Sequence, residues 1–378
     1  MTPLGATLLP GADAAQTPAG KPNLLLLFPD QWRWDWTTHA PTGTPPLTVR
    51  TPHFDELAAA GVRFDYAYVP SPLCGPSRSA LALGREHDPT GVSDNREVER
   101  VLPGKTTVYR ALRDAASYHV MMSGKDDLAI PYLASGSHRA EELGYSAWRG
   151  RSPGKEHVTA NAGPYTKFLA SKTVRMDNGS SVSALWLNTE CLFGTDPGEG
   201  AACCKGGSEY SCSRSLPNDF PEAWYQDNWV GDQALQMLKE RPKNKPWFLQ
   251  VNWPGPHPPQ GITRRMHTAV AAREFEMPFD DVPSIPPGEA SSYMTQPDDH
   301  LWARRSYAAE IENIDSWFGK FVEAVEQLGD SDNTLICIAS DHGEMLGEHG
   351  RWAKGVPCAS PFEPRRRALA LPHAARLL

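Results

Sequence analysis

The chain of 378 residues carries 37 lysines and arginines against 45 aspartates and glutamates, a net charge of −8, with 40% apolar and 22% charged residues. That balance supplies a buried core and excludes a wholly disordered chain and a broadly basic nucleic-acid binder. With no apolar run of ~18–20 residues it also excludes a membrane-spanning helix. The 35 prolines and 31 glycines point to long loops joining the elements of one large domain or two modest ones.

Residues 1–20 read as a disordered leader without the basic start and apolar stretch of a signal peptide. Asn23–Phe28 (NLLLLF) is a continuous apolar run and predicts a strand buried on both faces. Phe54–Ala60 predicts a short helix and Arg63–Val69 a strand. Pro76 suits the first turn of a helix that runs through Leu83 to Gly84. Thr106–Ala116 is helical in pattern, Tyr118–Met122 strand-like, Trp229–Lys239 amphipathic, and Pro246–Trp253 (PWFLQVNW) another strand. In Tyr307–Leu328 the apolar residues Tyr307, Ile311, Ile314, Phe318, Phe321, Val325 and Leu328 recur every three or four positions, which predicts a long helix. Thr334–Ser340 (TLICIAS) closes the series as a strand. The alternation predicts an α/β fold with a mostly parallel sheet between two helical layers.

Residues 130–218 are polar and irregular and read as a long insertion. Cys191, Cys203, Cys204 and Cys212 lie in it, and disulfides in an oxidising compartment are the expectation for them. With the acceptor Asn178-Gly179-Ser180, disulfides would suit the secretory pathway and an extracellular or lysosomal protein, whereas free thiols in a loop are the alternative; with no signal peptide visible, the sequence leaves the compartment open.

A polar cluster follows each of five predicted strands: Asp30-Gln31, Cys74-Gly75-Pro76-Ser77-Arg78, Gly124-Lys125-Asp126-Asp127, Pro256-His257-Pro258 and Asp341-His342-Gly343-Glu344. Ligands of open α/β sheets bind outside the carboxyl ends of the strands, so parallel strands would gather all five clusters in one crevice. Asp30, Gln31, Asp341 and His342 form a mostly hard-oxygen set suited to Ca²⁺, Mg²⁺ or Mn²⁺, although Asp30 and Asp341 taken singly could cap helices. Arg78, Lys125, His257 and Lys354 supply donors for a tetrahedral oxyanion. Cys74 sits where a helix N-terminus would favour an anionic nucleophile.

These residues carry a family resemblance. Cys74-Gly75-Pro76-Ser77-Arg78 with Leu83-Gly84-Arg85 resembles the C-x-P-S-R signature of the type I sulfatases. The likeness extends from Lys21 to about Lys354 through Thr51-Pro52-His53-Phe54-Asp55, Gly124-Lys125, Gly255-Pro256-His257-Pro258-Pro259, Ser340-Asp341-His342-Gly343-Glu344 and Gly347-Glu348-His349-Gly350. It implies an alkaline-phosphatase-like three-layer α/β/α sandwich and hydrolysis of a sulfate ester to an alcohol or phenol plus sulfate. A formylglycine-generating enzyme would convert Cys74 to formylglycine, whose hydrate attacks sulfur. Asp30, Gln31, Asp341, His342 and the side chain at 74 would hold calcium, with magnesium or manganese as substitutes. Arg78 would hold the formylglycine hydrate, while Lys125, His257 and Lys354 would bind sulfate and protonate the leaving oxygen. No nucleic-acid partner is expected.

Two departures qualify the likeness. The histidine that family members commonly carry two residues after the Gly-Lys lysine is Asp127 here, a carboxylate that would repel sulfate unless it pairs with Lys125. After Lys354 the sequence Pro361-Phe362-Glu363-Pro364-Arg365-Arg366-Arg367 and the tail to Leu378 do not resemble the family's next strand and smaller C-terminal subdomain. The expected organisation is therefore a catalytic domain over 21–354 and an atypical tail over 355–378, with the C-terminal subdomain missing. The competing readings are a phosphoester or phosphonate ester hydrolase on the same scaffold, and a truncated inactive fragment.

Overall fold

The computed structural model describes residues 20–38, 49–64, 67–125, 127–128, 137–150, 164–175, 179–185, 220–258, 260–275, 297–347, 352–354 and 374–377. Five parallel strands form the centre of the main sheet: β1 (Asn23–Leu27), β3 (His119–Gly124), β4 (Ala147–Gly150), β7 (Trp247–Asn252) and β8 (Thr334–Ile338). Their spatial order is β8-β1-β7-β3-β4. β9 (Ala374–Leu377) pairs antiparallel with β8, and the two-residue β2 (Val62–Arg63) pairs antiparallel with β9. β5 (Thr173–Arg175) and β6 (Ser181–Ser183) form a separate hairpin.

Alternation along the strands sorts the core onto the two faces. Leu25 and Leu27 of β1, Met121 of β3, Trp247, Leu249 and Val251 of β7 and Ile336 and Ile338 of β8 face one cluster. The helices Gln226–Glu240 and Pro297–Gln327 complete that side with Trp229, Val230, Ala234, Tyr307, Ile311, Ile314, Phe318, Phe321 and Val325. Val120, Met122 and Phe248 face the opposite cluster, where Ala82 of the Cys74–Leu83 helix, Tyr109 and Tyr145 pack. The result is the α/β/α sandwich with a mostly parallel central sheet, as expected.

Two details differ from the sequence reading. The strand over Arg63–Val69 is only Val62–Arg63, antiparallel to β9; Phe64 and Ala67–Val69 are irregular. Phe64 is 50% and Tyr68 55% exposed, and among the described residues strand pairing stops at Arg63. Cys74 is thus delivered by a loop, whereas the other four clusters follow parallel strands. The stretch expected to be an irregular insertion also contributes to the sheet: β4 lies within it and pairs with β3, held by buried Leu143 and Tyr145. Cys191, Cys203, Cys204, Cys212, Asn178 and residues 1–19 of the 1–20 leader lie outside the described residues.

The Pro52–Ala60 helix has no side-chain cap of its own; Asp315 of the long helix supplies it, Oδ1 and Oδ2 accepting from the N–H of Phe54 at 2.8 Å and of His53 at 3.2 Å. Two otherwise orphaned helix donors depend on one carboxylate 261 residues away from Phe54. Asp315→Ala is expected to cost ~1–3 kcal/mol in stability. Urea unfolding would read it, and a midpoint equal to wild type would show the cap to be immaterial.

Candidate active site

The loops after β1, β3, β7 and β8 meet the start of the Cys74–Leu83 helix at the carboxyl edge of the sheet. Cys74 Sγ lies 2.8 Å from Lys354 Nζ, 3.2 Å from His342 Nε2, 3.7 Å from Lys125 Nζ and 3.9 Å from Asp30 Oδ1. Of the candidate residues, Asp30, Gln31, Cys74, Arg78, Lys125, Asp341 and His342 are buried, so the site is drawn into the protein rather than spread over its surface.

Arg78 ties this cluster together. Its Nε donates to Asp341 Oδ2 at 2.9 Å, Nη2 to Asp30 Oδ2 at 3.0 Å, and Nη1 to the Lys125 carbonyl at 2.7 Å and Asn252 Oδ1 at 3.2 Å. The guanidinium also lies over the Phe28 ring, 5.1 Å from its centroid. Its donors are engaged with these partners, so Arg78 reaches Cys74 through the carboxylates and Lys125 rather than by a described contact of its own. Lys125 Nζ donates to the same Asp30 Oδ2 at 2.6 Å.

Burial works against each of these charges, and their mutual attraction decides the outcome. For Asp30, burial alone would raise the pKa, but the fixed positive charges of Lys125, Lys354 and Arg78 hold it well below the usual carboxylate range. Burial likewise opposes the Lys125 ammonium, yet Asp127 and Asp30 raise its pKa. Burial, then the Asp30 charge, pushes the Cys74 thiol up to about 12, so the encoded side chain is a neutral thiol at physiological pH.

The backbone reaches this arrangement through locally unfavourable conformations. Gln31 has φ 67°, Asp127 φ 54° and Ala353 φ 71°, the left-handed region that L-residues enter at a cost. Gln31 is pinned by its N–H on Asp341 Oδ1 at 2.9 Å and by its carbonyl accepting from Tyr307 Oη at 2.6 Å. Gly124, φ 90°, ends β3 so close to β7 that a Cβ would stand 1.9 Å from the Asn252 carbonyl oxygen. That carbonyl instead accepts from the Lys125 N–H at 3.0 Å, which aims the lysine into the site.

Donor atoms of Asp30, Cys74, Asp341 and His342 lie within 4.8 Å of one another. His342 Nδ1 donates to the Gly343 carbonyl at 3.0 Å, which leaves the Nε2 lone pair facing the cluster. Gln31 Oε1 is buried and has no hydrogen-bond partner among the described residues, while its Nε2 donates to Glu344 Oε2. An orphaned amide oxygen beside two carboxylates and an imidazole lone pair fits a hard divalent cation. His257 makes no described hydrogen bond to Cys74: its Nδ1 donates to the Pro258 carbonyl and its backbone N–H to the Pro254 carbonyl at 3.2 Å. Burial, with Lys125 and Lys354, holds its pKa well below the ordinary histidine value, so it is neutral with Nε2 as an acceptor.

Supporting residues escaped the sequence reading. Glu344 positions both Gln31 and the Lys354 loop, its Oε1 accepting from the Ala353 N–H at 2.5 Å. Asn95 takes the Gly75 N–H at 2.8 Å, and Asp227 Oδ1 takes the Gly255 N–H at 2.9 Å ahead of His257. Only Glu344 carried a signal, since it sits in the same strand-end cluster as Asp341.

The carboxyl edge of the parallel sheet thus gathers a donor set that could hold a metal ion, Asp30, Cys74, Asp341 and His342, beside the ammonium groups of Lys125 and Lys354. The chain belongs to the sulfatase family, within the alkaline-phosphatase-like superfamily: the Sulfatase family model matches residues 22–367. It is similar to an arylsulfatase of Clostridium perfringens, 23% identical over 362 residues, covering 89% of this chain and 66% of the relative. It is also similar to the iduronate 2-sulfatase of Homo sapiens, 25% identical over 328 residues, covering 81% of this chain and 52% of that protein. The fold matches the phosphonate monoester hydrolase of Agrobacterium radiobacter with a TM-score of 0.65 at 21% identity, covering 94% of this chain and 68% of that one. The chain thus spans about half to two thirds of the length of these curated relatives.

Proposed function

We propose that the protein hydrolyses a sulfate ester to an alcohol or phenol and inorganic sulfate, with formylglycine derived from Cys74 as its nucleophile. The observation that carries this reading is the position of Cys74 Sγ, shared between the ammonium groups of Lys354 and Lys125 and the donor set of Asp30, Asp341 and His342. A neutral buried thiol is a poor nucleophile, whereas conversion by a formylglycine-generating enzyme would place a geminal diol at the same point.

Asp30, Gln31, Asp341 and His342, with the side chain at 74, would hold the divalent ion, calcium being the proposed species. Such an ion would supply Lewis-acid polarisation of ester oxygens and lower the pKa of a coordinated hydroxyl. Lys125 and Lys354 bring positive charge to the sulfate oxygens as the ester bond breaks. Arg78 acts as a positioning residue that fixes Asp30 and Asp341 at once. Neutral His257 offers Nε2 to hold or move a proton near the leaving oxygen. Passage through the secretory pathway, to an extracellular or lysosomal location, belongs to the same proposal; no helix among the described residues is long and apolar enough to cross a membrane.

Likeness to a phosphonate monoester hydrolase makes esters of phosphorus the second reading. Parallel assays on 4-nitrophenyl sulfate and 4-nitrophenyl phenylphosphonate, each with and without a chelator, test both. The expected result is chelator-sensitive release of 4-nitrophenol, faster from the sulfate. Faster turnover of the phosphonate would favour the second reading, and silence on both would overturn the proposal.

A further inference from the structure

Asp127 stands two residues beyond Lys125, and its side chain is 12% exposed. Its Oδ2 lies 3.6 Å from Lys125 Nζ and 3.8 Å from Arg78 Nε. Among the described residues, the fixed cations around Cys74 are Arg78, Lys125 and Lys354; the carboxylates that ion-pair with them are Asp30, Asp341 and Asp127, while Glu344, near Lys354, is held by Gln31 and the Ala353 N–H. Asp30 and Asp341 belong to the donor cluster suited to a cation, and Asp127 lies outside it. Once those two carboxylates serve an ion, Asp127 is the one of the three left to offset the oxyanion-binding lysine.

The left-handed backbone at Asp127 is a conformation that aspartate tolerates better than branched residues. It turns the carboxylate back onto Lys125, so the side chain is built into the site rather than left at its rim. A neutral or donor side chain here would leave the pocket more positive by one unit of charge.

Coulomb energy scales with the product of charges, so the same carboxylate penalises a dianion twice as strongly as a monoanion of similar shape. One charge unit at the distance of a neighbouring ammonium, in a partly screened site, corresponds to discrimination on the order of 10-fold or more. Sulfate monoesters and phosphodiesters carry one negative charge; phosphate monoesters carry two above their second ionisation. We propose that Asp127 is a specificity-determining residue that tunes the pocket to singly charged ester anions and against dianionic phosphate monoesters. This inference rests on the ester-hydrolase reading above.

The test compares wild type with Asp127→Asn, which removes the charge at constant shape, and with Asp127→Glu, which keeps it. kcat/KM is measured on 4-nitrophenyl sulfate, on bis(4-nitrophenyl) phosphate, and on 4-nitrophenyl phosphate above its second ionisation. In Asp127→Asn the ratio of phosphate monoester to sulfate ester turnover should rise on the order of 10-fold. The diester should track the sulfate, and Asp127→Glu should keep the wild-type ratio. Equilibrium binding is read in parallel as the thermal shift produced by inorganic sulfate, a dianion, and by methyl sulfate, a monoanion. Loss of the carboxylate should strengthen binding of the dianion more than of the monoanion. Equal changes for single and double charges would overturn the inference. A wild type silent on every ester would instead speak against the hydrolase reading, while the anion-binding arm would still report on Asp127.

Discussion

Cys74→Ala is expected to lower sulfate-ester turnover by on the order of 10³-fold or more, the usual consequence of deleting a nucleophile whose surroundings are organised around it. The side chain at 74 is 2% exposed and is the common neighbour of Lys354, Lys125 and His342. No described group replaces it, because the adjacent Ser77 hydroxyl donates to the Asp341 carbonyl at 2.6 Å. Stability should change little, by about 1 kcal/mol, since one buried sulfur atom is lost and the cavity is small. Steady-state rates on 4-nitrophenyl sulfate and a urea melt separate the two effects. The mass of the wild-type peptide containing Cys74, from the native host, should show formylglycine. A Cys74→Ala variant with undiminished turnover would remove Cys74 from the chemistry altogether.

Arg78→Met should be the most destabilising single change at the site. Methionine approximates the volume of the arginine stem, but it removes a buried cation that holds Asp30 at 3.0 Å and Asp341 at 2.9 Å. Breaking a buried ion pair from one side leaves uncompensated charge, a loss of about 3–5 kcal/mol. Lys125 can neutralise only part of what remains, since it already contacts Asp30. Excess divalent cation should restore some of the loss by occupying the two freed carboxylates, through binding to the folded state. Unfolding curves with chelator and with added calcium would show this. Stability within about 1 kcal/mol of wild type under chelation would mean that the carboxylates do not depend on Arg78.

Much of the site was legible because its residues sit beside strong local signals. Asn23–Leu27, Trp247–Asn252 and Thr334–Ile338 announce themselves as apolar runs, and the loop after a parallel strand is confined to the carboxyl edge of the sheet. Arg63–Val69 misled because its apolar character could be matched to a strand locally, whereas strand formation requires a neighbour. Among the described residues, β9 pairs with Val62 and Arg63 alone of this stretch. β4 was hidden for the opposite reason: four residues amid polar sequence carry little periodicity, and pairing with β3 decides their state.

The sequence by itself determined the layered α/β architecture, the identity of the candidate nucleophile and metal donors, and the one position, 127, where the charge pattern departs from the family. The architecture follows from periodicity and the donor types from residue chemistry, which are local properties, whereas the nucleophile and the departure at 127 follow from the resemblance to the type I sulfatases. Only the tertiary structure decided how the charges are shared. Arg78 braces Asp30 and Asp341, Asp127 turns back onto Lys125, and Glu344 orients Gln31, across separations as large as 313 residues. Their cause is burial: removed from water, each charged or polar group must find its partner among whatever the fold brings beside it.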